Sequence, residues 1–181
     1  MRPTIDTYLM QIAEMAAARS TCSSRAKVGA VIASQDGRIL SVGYNGVPKG
    51  MPHCDDIGCQ RGPDGKHLWL VHAEENAIVG AALAGVAIKR SWLYCTHLPC
   101  SHCAALIIQA GIFKVFYREI ASGPVGPTQY LFSKSGIELV WLGGNDDTNS
   151  GQTEDHSYLV NPRPAPYNRG CGKDDLLKHP R

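Results

Sequence analysis

Val71-His72-Ala73-Glu74-Glu75-Asn76-Ala77-Ile78, answered downstream by Pro99-Cys100-Ser101-His102-Cys103, are the two stretches on which the reading of this 181-residue chain turns. A catalytic zinc keeps three protein ligands and leaves a fourth position to water, and one imidazole (His72) with two thiolates (Cys100 and Cys103) supplies such a set. Cys100 and Cys103 are three apart, so on a helix that opens after Pro99 they share a face and can grip one ion. Glu74, two residues from His72, does not share its face and suits a proton carrier beside the metal rather than a ligand. If both stretches open helices, two sets of unpaired N–H groups meet at one point and favour anions there. A redox pair or a structural zinc clip is the other reading of the two cysteines. The redox pair has no need of the upstream His-x-Glu.

Outward from these stretches the hydrophobic pattern alternates between helix and strand. Residues 73–83 read as a helix ending near Gly85, and residues 91–96 as a strand. Residues 101–110 read as a helix with Leu106, Ile107 and Ala110 on the Cys103 side, stopped by Gly111. Residues 113–117 follow as a strand, 128–133 as a short helix and 137–142 as a last strand. Upstream, Ile5, Tyr8, Leu9, Ile12, Ala13 and Ala16 recur at helical spacing and predict a helix over residues 4–20. The β-rich runs 28–33 and 38–44 flank Ser34-Gln35-Asp36-Gly37, whose Asp-Gly pair signals a hairpin. The expected architecture is an α/β fold, a three-layer α/β/α domain. Its mixed central sheet has about five strands, with an N-terminal antiparallel hairpin on otherwise parallel strands. Cys95 falls within a strand and is expected in the core.

The length suits one domain with a sizeable core, and 44% hydrophobic with 19% charged residues is ordinary for a globular chain. The net charge of +2 is too small to point to nucleic acid. There is no long apolar run, and the N-terminus reads as an amphipathic helix rather than a signal peptide, so no membrane partner and a cytoplasmic location are expected. Seven cysteines without a secretory signal favour metal ligation over disulfides. Gly43-Tyr44-Asn45-Gly46-Val47-Pro48-Lys49-Gly50 is a loop whose glycines permit close approach to a ligand, or else a plain connection.

Residues 51–67 lack periodicity but carry His53, Cys54, Cys59 and His67. A second zinc would order them, with Cys22 brought in from the end of the first helix. The proposed set is Cys22, Cys54, Cys59 and His67, with His53 competing for the last place. The alternative is thiols buried as small hydrophobes. Residues 1–143 are the expected domain. Residues 144–181, polar and with Pro162, Pro164 and Pro166 at alternate positions, read as a tail that is extended or disordered when isolated, with Cys171 as a free thiol.

Seven segments carry a resemblance that runs over residues 4–142: Arg19-Ser20-Thr21-Cys22, Lys27-Val28-Gly29-Ala30-Val31-Ile32, Gly43-Tyr44-Asn45-Gly46, His53-Cys54, His72-Ala73-Glu74-Glu75-Asn76-Ala77-Ile78, Thr96-His97-Leu98-Pro99-Cys100-Ser101-His102-Cys103 and Ile108-Gln109-Ala110-Gly111-Ile112. Together they resemble the deoxycytidylate deaminase branch of the zinc-dependent cytidine/deoxycytidylate deaminase superfamily, with its cytidine-deaminase-like fold. The His-Ala-Glu and Pro-Cys-x-x-Cys pieces are shared across the superfamily, whereas Gly-Tyr-Asn-Gly and the flanking cysteines narrow the resemblance to that branch.

The resemblance implies hydrolysis of dCMP to dUMP and ammonia, the supply route to thymidylate, with zinc on His72, Cys100 and Cys103 and Glu74 as proton carrier. It implies that Asn45 contacts the nucleotide and that a second, structural zinc is present, Cys22 and Cys54 falling on matching positions. Arg25 and Lys27 are the basic residues expected near the Gly-Tyr-Asn-Gly loop, as phosphate contacts or as solvated surface charges. Many members are homohexamers activated by dCTP and inhibited by dTTP, with Mg2+ accompanying an effector nucleotide. Where regulated members carry an arginine late in the His-x-Glu helix, this chain has Leu83. Other readings are a deaminase of dCTP, of a modified deoxycytidylate or of tRNA adenosine, the last expected to show a basic surface. A pyrimidine deaminase of riboflavin synthesis normally carries a reductase domain as well. A zinc-stabilised binding module would have no use for Glu74.

Overall fold

The hairpin forms where Asp36-Gly37 allows it: Gly37 takes a φ of 84°, a conformation that costs glycine little and other residues much. Strands β1 (Gly29–Ala33) and β2 (Ile39–Tyr44) pair antiparallel across that turn. The computed structural model describes residues 2–22, 25–65, 67–120 and 125–143. The expectations placed on residues 144–181, Cys171 included, lie outside the described residues.

Helix α1 (Ile5–Ala17) is opened by Thr4, whose hydroxyl accepts from the Thr7 N–H at 3.1 Å. After the hairpin come α2 (Cys54–Ile57), α3 (Ala73–Leu83), β3 (Trp92–His97), α4 (Ser101–Gln109), β4 (Lys114–Glu119), α5 (Gly126–Ser135) and β5 (Glu138–Trp141). The sheet order is β2-β1-β3-β4-β5. β1 meets β3 antiparallel, while β3, β4 and β5 run parallel. The expected mixed sheet of about five strands with an N-terminal antiparallel hairpin is therefore observed, and the structure puts that hairpin at one edge.

Alternation along the strands sorts the core into two layers. Ala30, Ile32, Leu93, Cys95 and Val115 pack with Ala73 and Ala77 of α3, Ala104 and Ile107 of α4 and Phe132 of α5. Val31, Ala33, Tyr94 and Phe116 pack instead with Leu9, Met10 and Ala13 of α1. Cys95 is fully buried among them, as its strand position predicts.

Three local expectations differ from the structure. Residues 51–67 hold the one-turn helix α2, too short to leave a periodic signal. α1 stops at Ala17, and the buried face of α4 is Cys103, Ala104 and Ile107, with Leu106 and Ala110 only partly covered. Among the described residues, no helix is long and apolar enough to cross a membrane.

Candidate active site

Both signature stretches open helices. His72 is the N-cap of α3, in extended backbone (φ −75°, ψ 159°), and its N–H donates to Glu75 Oε2 at 2.7 Å. Glu74 lies in the first turn behind it. Cys100 is the N-cap of α4, again extended (φ −71°, ψ 168°), and Cys103 follows in that helix's first turn. Pro99, with no N–H to satisfy, leads directly into the cap.

The two helix N-termini bring His72 Nδ1 within 3.3 Å of Cys103 Sγ and 3.6 Å of Cys100 Sγ. A tetrahedral zinc with bonds of about 2.0–2.1 Å to nitrogen and about 2.3 Å to sulfur separates those donors by roughly 3.6 Å, so the three residues fit the ion. The Cys100 thiol is pushed down to about 3, first by a hydrogen bond from Cys103 and then by His72. Its thiolate in turn raises the pKa of Cys103 and of His72. Glu74, only 4% exposed, has its carboxyl raised above the usual range by burial.

These groups face a cavity of about 470 Å³ whose walls include Arg25, Asn45, His72, Glu74, His97 and Cys100. That volume falls within the range of small-ligand sites. Of the two cations singled out in the sequence, Arg25 lines the cavity, whereas Lys27 is exposed and outside the lining. Asn45 is buried, its Oδ1 accepting from Val28 N–H at 2.7 Å and its Nδ2 donating to Ala26 C=O at 3.1 Å. It thereby pins the chain leading into β1 as a cavity wall, and each end of its amide keeps one further hydrogen-bonding position.

His97 was not anticipated as a wall. Its Nε2 lies 3.2 Å from Glu119 Oε2 and its Nδ1 lies 3.1 Å from Thr96 Oγ1. With both nitrogens engaged, the ring is held in place. The partner Glu119 sits opposite His97 in the parallel register of β3 and β4, a pairing that no local sequence signal announces.

A second donor cluster lies apart from this cavity. The ligand atoms of Cys22, Cys54, Cys59 and His67 all fall within 4.8 Å of one another, with Cys22 and Cys59 Sγ 3.8 Å apart and Cys54 Sγ 3.2 Å from His67 Nε2. His53 is not among them; its Nδ1 lies 3.3 Å from Thr21 Oγ1 at the start of α2. Burial, then the neighbouring Cys59 and Cys22, push the Cys54 thiol up to about 11. Crowded thiols that cannot all ionise without a partner are the chemistry a dication relieves.

A family model for the cytidine and deoxycytidylate deaminase zinc-binding region matches residues 3–119. A deoxycytidylate deaminase of Saccharomyces cerevisiae is 41% identical over 124 residues, covering 66% of this chain and 39% of its own length. One from Schizosaccharomyces pombe is 40% identical over 145 residues, covering 76% of this chain and 44% of its own length. The chain thus spans about two-fifths of the length of these yeast relatives. Among solved structures, the dCMP deaminase of the cyanophage S-TIM5, in complex with dCMP and dUMP, superposes with a TM-score of 0.67 at 34% identity, covering 78% of this chain and 99% of that one. The matched segment holds His72, Glu74, Cys100 and Cys103 together, and so it is as a member of the cytidine and deoxycytidylate deaminase family that this chain is to be understood.

Proposed function

We propose that this chain hydrolyses dCMP to dUMP and ammonia, and so serves thymidylate supply, with the cavity at the N-termini of α3 and α4 as its active site. The observation that carries the reading is the buried Glu74 beside the His72, Cys100 and Cys103 donor set, in a cavity of nucleotide size. The similarity to an enzyme solved with dCMP and dUMP supports it.

In this reading His72, Cys100 and Cys103 hold zinc. When bound there, zinc supplies a Lewis acid that lowers the pKa of water toward neutrality. Glu74 takes a proton from water on its carboxylate and passes it to the ring nitrogen beside the amino-bearing carbon. It then takes the second proton from the hydroxyl now on that carbon and gives it to the departing amino group, so that water and dCMP become dUMP and ammonia. Arg25 faces the phosphate, Asn45 contacts the nucleotide, and Val28 and Leu98 shield the ring from solvent. Zinc-loaded protein given dCMP should release dUMP and ammonia in equal amounts. Neither product appearing would remove the reading.

The reading extends to a second, structural zinc on Cys22, Cys54, Cys59 and His67, supported by the proximity of those four donors. Zinc content after exhaustive dialysis should approach two per chain. A value near one, unaffected by Cys54→Ser, eliminates the second ion.

It further includes a cytoplasmic homohexamer of catalytic domains over residues 1–143, with dCTP as activator, dTTP as inhibitor and Mg2+ beside the effector. Activity titrated against the two triphosphates should rise with one and fall with the other. A flat response removes the effectors, and Leu83, an uncharged, 84% exposed residue ending α3, is where that outcome would be traced.

A further inference from the structure

Glu75 makes two contacts with one carboxylate. Oε2 accepts from the His72 N–H at 2.7 Å, the usual work of a glutamate in the third helical position. Oε1 lies 2.9 Å from Nε2 of His102, and His102 stands in the first turn of α4, between Cys100 and Cys103. A side chain only 20% exposed therefore spans the two helix N-termini that carry the metal-donor set. A helix cap accounts for the first contact and not for the second.

We propose that Glu75 is a positioning residue for the metal ligands: by tying α3 to α4 it sets the separation of His72 Nδ1 from the thiols of Cys100 and Cys103. The need for such a tie follows from how α3 packs. Its buried residues are Ala73, Ala77 and Ala81 beside Glu74, with Ile78 only partly buried against the core, so the face is built mostly of small side chains. A ligand set has to be held to within about 0.5 Å of its working geometry, and the hydrogen bonds of Asn76 and Ala77 tie α3 to β2 rather than to α4. A carboxylate is well placed for the task, because both helices present unpaired N–H groups and a positive dipole end toward it. On the α4 side the contact is made by His102, whose side chain is 70% exposed and has no place in the core.

The proposal rests on His72, Cys100 and Cys103 being the zinc ligands, and zinc release to a chelating dye separates the two claims. The release phase abolished by Cys100→Ser belongs to this site, and if no phase is abolished both the ligand reading and this proposal fall. Glu75→Ala should accelerate that phase by about 10–100-fold. His102→Ala, which cannot threaten the fold, should accelerate it by about threefold or more, and should add nothing further in a Glu75→Ala background, because the two residues act through one contact. Glu75→Gln keeps an acceptor for the His72 N–H and an amide facing His102, and should return release to within about threefold of wild type. In the cobalt-substituted protein the ligand-field bands should shift with Glu75→Ala and not with Glu75→Gln. Unchanged release in Glu75→Ala, or an equal effect of His102→Ala in both backgrounds, would make Glu75 a helix cap and nothing more.

Discussion

Glu74→Gln is expected to abolish dCMP turnover while leaving zinc content and fold as they are. The side chain is 4% exposed, so an isosteric change avoids a cavity or an overpacked contact. The metal donors, His72, Cys100 and Cys103, are untouched. What disappears is the capacity to accept a proton and give it back. General acid–base groups contribute about 10²–10⁴-fold, and Glu74 is asked to serve more than one transfer, so the expected loss is roughly 10³-fold or more. Burial already raises the Glu74 pKa. Burial opposes a charge at this position and the amide carries none, so the variant should be at least as stable as its parent. Steady-state turnover beside zinc content checks both halves. An active variant contradicts the assigned role, and a zinc-free one shows that the carboxylate also supports the ligands.

Gly43→Ala is expected to be strongly damaging although Gly43 lies outside the cavity lining. A Cβ at Gly43 would sit 2.2 Å from the Ala73 carbonyl oxygen and 2.4 Å from the Ala77 nitrogen. Both are backbone atoms, so no side chain can turn aside and α3 must lift off β2. The lifted turn is the one that holds His72 and Glu74. Overpacking of this kind costs about 1–3 kcal/mol or more, and a displacement of about 1 Å at a catalytic group is worth roughly 10²-fold in rate. Gly80→Ala is the matched control on the same contact, since its Cβ would meet only Ser41 Oγ at 3.3 Å, and alanine is the better helix former by about 1 kcal/mol. Urea unfolding of the zinc-loaded proteins should place Gly43→Ala well below wild type and Gly80→Ala close to it. Equal stabilities for the two would mean that the close approach of β2 to α3 does not govern this part of the fold.

What could be read in the chain without coordinates was whatever is encoded locally. The apolar spacing from Ile5 onward marked α1, Asp36-Gly37 marked the hairpin, and His72-x-Glu74 and Pro99-Cys100 marked the openings of α3 and α4, each close to its observed place. The donors of both clusters were legible because cysteine and histidine are chemically conspicuous. His67 and His53 could not be told apart from spacing, because the choice depends on how the 51–67 segment closes back on Cys22. That closure runs through the pairing of Arg61 with His67. Helix α2 escaped notice because one turn rich in aspartate has no period. His97 and its partner Glu119, like the Glu75–His102 contact, depend on how two separate elements are set side by side, which follows from packing and not from either segment alone. Arg25 and Lys27 look equivalent as residues two apart. They part only when the chain leading to β1 is pinned by Asn45 and presents Arg25 to the cavity.

The most direct measurement of the proposed activity is ammonia release, with loss of the cytosine absorbance, from dCMP, dCTP, CMP and deoxycytidine in parallel, using zinc-loaded wild-type, Glu74→Gln and Arg25→Ala proteins. The account predicts that dCMP is turned over far better than the other three by wild type and not at all by Glu74→Gln. It also predicts that Arg25→Ala raises the KM for dCMP with little change in kcat, the signature of a phosphate contact. Turnover of none of the four by zinc-loaded protein, or dCMP turnover that survives Glu74→Gln, would contradict it.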